Sequence, residues 1–412
     1  MKFPELVERL ERKGWLMRIQ SPVDPKLEAA KIARQHPNQA VLLERVKGSS
    51  IPAVLNVFFS RAVLAEALNT SMLGLKHKIL RAIQEPKPVK LSRVPEYERL
   101  DADLRKLPIL QHYSSDAGKY ITAGVVVAHH PKLGVNLSYH RMLVVGNDRL
   151  VLRILPRHLN EFIRRGVRQF VIAIGNQPQI ALAGAISVEL GQSELEIANA
   201  LKPVRVFELW NQPVPEAEIL LLAELTGKTR EEGPFVDITG TLDIVRSQPE
   251  VRIKEILAKP GALYHSILPA GPEHRLLMGM PKEPVIMQEV NKVCECLDVH
   301  ITPGGCSWLH AVVKIRKRHP DDGKRAILAA FRAHRSLKHV WVVDEDIDIY
   351  NAEEVEWAMA TRFQGSRDLI IKREAGSSLD PSANQRTRVT TKLGFDLTVP
   401  DLSKKSKFVR AE

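Results

Sequence analysis

The densest set of chemically useful side chains is EEGPFVDITG, running from Glu231 to Gly240. Glu231, Glu232 and Asp237 crowd around Gly233 and Pro234, a few residues after a long apolar run, AEILLLAEL. Carboxylates held close together repel, so one of such a set can keep its proton and serve as an acid. On spacing alone, an acidic solvated turn is an equal reading. A second set is scattered. Asn136 and Arg141 lie five apart in NLSYHR, His158 follows in LPRHL, and Glu194 lies in QSELEIA. An amide oxygen, an imidazole and a carboxylate together suit Mg2+ or Mn2+. Spacing alone does not join them, and each taken singly reads as structural.

Three other motifs carry less. TGKT, Thr226 to Thr229, resembles the end of a phosphate-binding loop, but Leu222 stands where that loop needs its first glycine. An exposed turn is the better reading. Cys294, Cys296, Cys306 and His310 do not have a structural-zinc spacing, and Cys294 reads as a small buried residue on an apolar helix face. DEDID, Asp344 to Asp348, lacks the glycine of a calcium loop and reads as a solvated strand end that caps the next helix.

The elements that must position these residues follow from periodicity. Pro4 to Gly14 predicts an amphipathic helix ending at a glycine. Ala40 to Val46 and Ile51 to Val57 predict strands, and Leu64 to Ala82 a helix. A proline-rich stretch from Glu85 to Leu110 predicts a connector lying over a surface. From about Ile121 to Ile267 the chain is β-rich: ITAGVVVAHH, NLSYHRMLVVG, LVLRILP, FVIAIG and AEILLLAEL are the strand candidates. Helices at Arg157 to Gly166 and Gln192 to Ala200 interrupt them. The last third alternates: KEPVIMQEVNKVCECL a helix, LHAVVKIRK a strand, KRAILAAFRAH a helix, HVWVVDED a strand and AEEVEWAMATRF a helix. That succession predicts βαβ units. The basic tail SKKSKFVRAE is expected to be mobile.

Composition bounds the function. The 412 residues suggest two or three domains, and a 44% hydrophobic fraction excludes a mostly disordered chain. There is no run of about 18 apolar residues and no apolar leader at the N-terminus, so a membrane span and a secretory signal are not expected. Three cysteines make no disulfide framework, which points to the reducing cytoplasm. The net charge of +12 fits nucleic acid or anionic small molecules. Only 5 Trp, 6 Tyr and 11 Phe accompany it, and no nucleic-acid-binding motif is present, so a small anionic ligand is the better reading.

NLSYHR, LPRHL, SELEIA, EGPFVDITG, YHSILPAGPEH, TPGGCSW, WAMATR and TKLGFD occur in the order they have in the UbiD decarboxylase family. ITAGVVVAHHP before NLSYHR is similar too, so the chain resembles that family from about Ile121 to Asp396. The resemblance implies an α/β (α+β) protein in three parts. Residues 1–112 would form an N-terminal α/β domain with the proline-rich connector. Residues 113–280 would form a split β-barrel that binds prenylated FMN and resembles flavin reductases. Residues 281–412 would form a C-terminal α/β oligomerisation domain with the basic tail. The family's cofactor is prenylated FMN, held with Mn2+ or Mg2+ and often K+, and supplied by a flavin prenyltransferase. A homodimer or larger homo-oligomer, with no nucleic-acid partner, is implied.

Carried over residue by residue, the metal ligands would be Asn136, His158 and Glu194. Tyr139, His140, Arg141, Arg153, Ile154, Leu155 and His158 would line the cofactor, and Lys392 in TKLGFD would contact its phosphate. The catalytic set would be Arg141, Glu232 and Asp237. Arg141 would grip the leaving carboxylate, Asp237 would protonate the product carbon, and Glu232 would tune both. Many members carry glutamate where this chain has Asp237, while the quinone-pathway branch carries aspartate, which argues against a cinnamate-type substrate. The chain runs about twenty residues past Lys392, which resembles the short archaeal branch. Members of that branch decarboxylate trans-anhydromevalonate 5-phosphate to isopentenyl phosphate. A 4-hydroxybenzoate-type or polyprenyl-hydroxybenzoate (de)carboxylase is the alternative within the family, and a non-catalytic basic binding protein the alternative outside it.

Overall fold

The apolar runs of the middle third become strands buried on both faces. In Gln169–Asn176, Phe170, Ile172 and Ile174 enter one core while Val171 and Ala173 enter another. In Ala217–Glu232, Ile219, Leu221 and Ala223 face the first core and Leu220 and Leu222 the second. Successive side chains point to opposite faces, so a sheet covered on both sides reads as an unbroken apolar run. The structure is a computed structural model that describes residues 1–408. It divides into two compact units, Met1–Leu277 and Met278–Glu412.

The first unit is built on a nine-stranded sheet in which every paired neighbour is antiparallel. Its order is Tyr120–Ile121, Met142–Gly146, Arg149–Leu152, Arg246–Ala258, Ala217–Glu232, Gln169–Asn176, Val125–His130 and Gly134–Tyr139, with Glu98–Leu100 also pairing Arg246–Ala258. The sheet stays open: among the described residues its first and last strands are not paired with each other. A four-stranded sheet orders Leu16–Ile19, Ala40–Leu43, Ala53–Leu55 and Tyr264–Ser266, so its last strand arrives from two hundred residues downstream. One core serves both sheets, since Val41, Leu43 and Leu55 share it with Ile172 and Leu221.

Several sequence expectations change here. The helix expected over Leu64 to Ala82 is two helices, Arg61–Ala67 and Met72–Gln84. Asn69 between them takes a φ of 52°, a conformation asparagine tolerates, and the Ser71 side chain caps the second by accepting from the Gly74 N–H. TGKT is a bulge inside the Ala217–Glu232 strand, not a turn that ends it: the register shifts between Leu225 and Thr229, and Gly227 has a φ of 78°. The strand then runs on to Glu232. NLSYHRMLVVG splits into Gly134–Tyr139 and Met142–Gly146, with His140 and Arg141 between them. Among the elements that were not expected are the helices Glu28–Gln35 and Pro178–Ala183 and the strands Leu369–Ala375, Val389–Asp396 and Arg246–Ala258. Arg246–Ala258 hides behind its charges, because the buried Glu250 on it is bound by Arg149 and Arg230.

The second unit is a five-stranded sheet ordered Glu295–Ile301, His310–Arg316, His339–Val343, Val389–Asp396 and Leu369–Ala375. Its three middle strands are parallel and both edges antiparallel. Asp322–Ala333 crosses between the first two parallel strands, giving the expected βαβ unit. It lies close against the sheet, for a Cβ on Gly394 would run into Ile327. KEPVIMQEVNKVCECL is not one helix. Lys282–Val290 ends before Asn291, whose side chain accepts from the Cys296 N–H, and Glu295–Ile301 is a strand. Cys294 therefore lies in the connecting turn, half-buried against the same core, where burial pushes its thiol up to about 11. DEDID is a strand end with Glu345, Asp346 and Asp348 exposed, but it does not cap the next helix and Asp344 is buried. Asp344 and Asp346 bind the fully buried Arg362 at 3.4 and 2.6 Å, and Asn351 caps the following helix, Ala352–Arg362. In the tail, Leu402–Phe408 forms 3-10 turns; residues 409–412, also expected to be mobile, lie outside the described residues. No helix among the described residues is long and apolar enough to cross a membrane.

Candidate active site

Arg141 stands at the tip between Gly134–Tyr139 and Met142–Gly146, and three carboxylates meet it. Its Nε donates to Glu232 Oε1 at 2.8 Å and its Nη2 to Glu232 Oε2 at 2.9 Å, a side-on bidentate pair. Nη1 donates to Asp237 Oδ2 at 2.8 Å, and Nη2 also donates to Asp243 Oδ2 at 2.8 Å. The guanidinium lies 4.7 Å from the centre of the Phe235 ring. Burial opposes the charge, but Glu232, Asp237 and Asp243 outweigh it and raise Arg141 above its ordinary value.

Each partner is delivered by a separate local rule. Glu232 ends the long strand, where alternation turns it inward at 0% exposure and leaves Glu231 in solvent. The expected crowd of three carboxylates therefore loses Glu231. The Tyr120 hydroxyl donates to Glu232 Oε1 at 3.1 Å. Asp237 and Asp243 flank one hairpin, in which Phe235–Val236 pairs with Leu242–Asp243 across a turn. Gly240 takes a φ of 76° there, and the Asp237 N–H donates to Thr241 O. The base of the hairpin is held by Asp116, whose carboxylate accepts from the Val236 and Tyr113 N–H groups. Asp243 is the residue the sequence reading missed. A D-x-T-G-x-x-D spacing, with a turn at Thr239–Gly240, is the signal that could have found it. Its Oδ2 also accepts from Arg246 Nη1 at 2.6 Å and lies 4.0 Å from Arg153 Nε. Burial pushes Asp243 up, yet Arg246 and Arg141 hold it below the usual carboxylate range. His274, quoted in a motif but given no role, is partly buried here, and Asp237 and Arg141 are among the charges that act on it.

Asn136, His158 and Glu194, fifty-eight residues apart at the extremes, come together. Asn136 Nδ2 donates to Glu194 Oε2 at 3.1 Å, and His158 Nδ1 lies 3.4 Å from Glu194 Oε1. The Leu137 N–H also donates to Glu194 Oε2. His158 and Glu194 are the first residues of their helices, His158–Arg164 and Glu194–Leu201, so short turns aim both side chains back over the Gly134–Tyr139 strand.

His140 lies beside this trio, joined to it through Ser138. Its Nδ1 lies 2.9 Å from Arg153 O, which only accepts, so Nδ1 carries the hydrogen. Burial, which outweighs the Arg153 carbonyl, pulls its pKa down to about 4, so the ring is neutral and Nε2 accepts from the Ser138 hydroxyl at 2.9 Å. Ser138 Oγ also lies 3.1 Å from Asn136 Oδ1, so its one proton is shared between His140 Nε2 and Asn136 Oδ1. The Tyr139 hydroxyl is buried with no hydrogen-bond partner among the described residues. The Ile154 N–H donates to Gln248 Oε1, and the Arg153 N–H to Arg141 O, which ties the 153–155 segment to the arginine.

Lys392 lies in the second unit, fully buried, with its ammonium 2.7 Å from Arg335 O and 3.1 Å from Glu374 Oε1. An open cleft of about 600 Å3 on the first unit, lined by His129, Lys132, Arg165, Arg168 and Trp210 among others, contains none of these residues.

The neutral His140 gives a pH prediction. A histidine has an unfolded pKa near 6.5. Between there and about 4 the unfolded chain binds a proton that the folded chain refuses, so stability falls as pH drops through that window. At about 1.4 kcal/mol per pKa unit, the loss is on the order of a few kcal/mol. Denaturant unfolding at pH 6.5 and 4.5 should show a smaller loss in His140→Asn than in the wild type. An equal loss in both would mean that His140 is protonated freely in the folded chain.

Comparison with known proteins agrees along the whole length. The family described as 3-octaprenyl-4-hydroxybenzoate carboxy-lyase matches in three pieces: its N-terminal domain over residues 7–83, its Rift-related domain over 82–272 and its C-terminal domain over 275–397. A relative from Methanothermobacter thermautotrophicus, described as anhydromevalonate phosphate decarboxylase, is 44% identical over 95% of this chain and 96% of its own. One of the same description from Methanosarcina mazei is 43% identical over 100% of this chain and 99% of its own. Among solved structures, the UbiD-class enzyme HmfF from Pelotomaculum thermopropionicum in complex with FMN superposes with a TM-score of 0.95 at 38% identity, covering 100% of this chain and 97% of that one. An evolved dimeric form of the same enzyme in complex with prFMN gives 0.90 at 35%, covering 100% and 96%. With three domain matches in register and relatives this similar end to end, the chain belongs to the UbiD family of carboxy-lyases.

Proposed function

We propose that this chain is a prenylated-FMN-dependent decarboxylase that converts trans-anhydromevalonate 5-phosphate to isopentenyl phosphate and CO2. The observation that carries the chemistry is one buried guanidinium, Arg141, bonded within 2.9 Å to both Glu232 and Asp237. The relatives' shared description supports the substrate.

The residues around Arg141 fit the cofactor and a divalent metal. Asn136 Oδ1, the His158 imidazole and the Glu194 carboxylate would hold Mn2+ or Mg2+, the oxygen-rich set such ions take. The buried, unpartnered Tyr139 hydroxyl leaves a polar group for a ligand to satisfy. Prenylated FMN, when bound, supplies the electron sink for the pair left as CO2 departs.

The chain's own residues do the rest. Arg141 grips the departing carboxylate and orients it. Glu232, with no exposed surface, holds Arg141 in place and is a positioning residue. Asp237, whose side chain is 16% exposed, delivers one proton to the carbon that lost CO2 and regains one from solvent. That balances the reaction, since one carbon–carbon bond breaks and one carbon–hydrogen bond forms.

Holoenzyme made with a flavin prenyltransferase should release CO2 and isopentenyl phosphate from trans-anhydromevalonate 5-phosphate. Asp237→Asn should keep cofactor and metal but lose about 10²- to 10⁴-fold in turnover, together with solvent deuterium incorporation. Full activity in that variant would remove Asp237 from the mechanism. Turnover of 4-hydroxybenzoate, with none of the phosphate, would move the chain to the aromatic-acid branch. Separately, Glu194→Ala should lose bound metal and flavin together, read by metal analysis and flavin absorbance. Retention of both at wild-type stoichiometry would show that the metal site lies elsewhere.

A further inference from the structure

Arg141 has five N–H hydrogens, and its carboxylate partners leave no edge open. Glu232 fills the side edge, taking Nε and one Nη2 hydrogen. A second parallel pair of N–H groups exists only on the end edge, formed by the other Nη2 hydrogen and Nη1. Asp243 holds the Nη2 half of that edge at 2.8 Å. Asp237 needs one of the two Nη1 hydrogens, so it can stay. A substrate carboxylate that takes Arg141 in a bidentate grip must therefore displace Asp243.

We propose that Asp243 is a placeholder: it occupies the substrate carboxylate's half of the Arg141 end edge and yields it when the substrate arrives. The proposal rests on the reading of Arg141 as the carboxylate grip. Asp243 can move where Glu232 cannot. Baring Glu232 would strand a charge at 0% exposure, whereas Asp243 already has a second counter-ion in Arg246 at 2.6 Å. Its neighbours on the hairpin, Leu242 and Ile244, are each 52% exposed, so its displacement opens no core. Three guanidiniums, those of Arg141, Arg153 and Arg246, lie within 4.0 Å of the single oxygen Asp243 Oδ2.

The test uses holoenzyme and two readouts. One is steady-state turnover of trans-anhydromevalonate 5-phosphate. The other is titration with crotonate, a plain enoate, followed by flavin absorbance. Replacing a charged acceptor with a neutral one weakens the competing bond, so Asp243→Asn should lower KM and the crotonate Kd about tenfold, with no rise in kcat. Asp243→Glu should restore wild-type values by returning a carboxylate to Arg141. The double variant Asp243→Asn/Arg246→Gln restores net charge and should still bind crotonate tightly. Three results would overturn the placeholder: unchanged or weaker crotonate binding in Asp243→Asn, equal tightening in Asp243→Glu, or wild-type affinity in the double variant. If Asp243→Asn does not fold, Asp243→Ser is read by the same criteria. No turnover of the phosphate by any form would defeat the assigned substrate, while the crotonate titration still decides the role of Asp243.

Discussion

A guanidinium that is 9% exposed cannot shed its charge, so everything around Arg141 is arranged to neutralise it. Leaving one such ion unpaired costs about 3–5 kcal/mol. The fold answers with three carboxylates from two places, Glu232 at the end of a strand and Asp237 and Asp243 on one hairpin. The hairpin has little core of its own, and Phe235 beneath the guanidinium and Asp116 at its base are what seat it. The same ion thus orders the loop and creates the place where an anionic substrate would bind.

The scaffold below is stiff because its sheet is packed on both faces. That lets short segments at its edge hold side chains at hydrogen-bond precision. His158 and Glu194 come from the first residues of two helices and meet Asn136 on a strand, while neutral His140 ties that strand to the segment beside Arg141. The proposed metal side and the carboxylate side are linked through the four residues between Asn136 and Arg141, Tyr139 among them.

Much of this was legible beforehand, and what was not has physical causes. Unbroken apolar runs marked the central strands, and the motif order marked Arg141, Glu232, Asp237 and the Asn136, His158, Glu194 trio. Spacing could not choose between Glu231 and Glu232, because the bulge at Gly227 changes which residues face inward. Asp243 was passed over for a related reason: the turn signal at Thr239–Gly240 marks a hairpin, but its register, not distance along the chain, sets the partner of Asp243. The strand Arg246–Ala258 was hidden because its buried Glu250 is paid for by arginines on neighbouring strands. CECL read as helix because periodicity continued past Asn291, where a side-chain hydrogen bond turns the chain into a strand.

The central claim is that Arg141 and Glu232 are one unit, each buried on account of the other. Unfolding free energies of Arg141→Met, Glu232→Leu and the double variant test it most directly. Each single change should cost about 3–5 kcal/mol, and the double should cost clearly less than their sum, since neither charge is then stranded. Costs that add to within about 0.5 kcal/mol would show two independent residues and contradict the account.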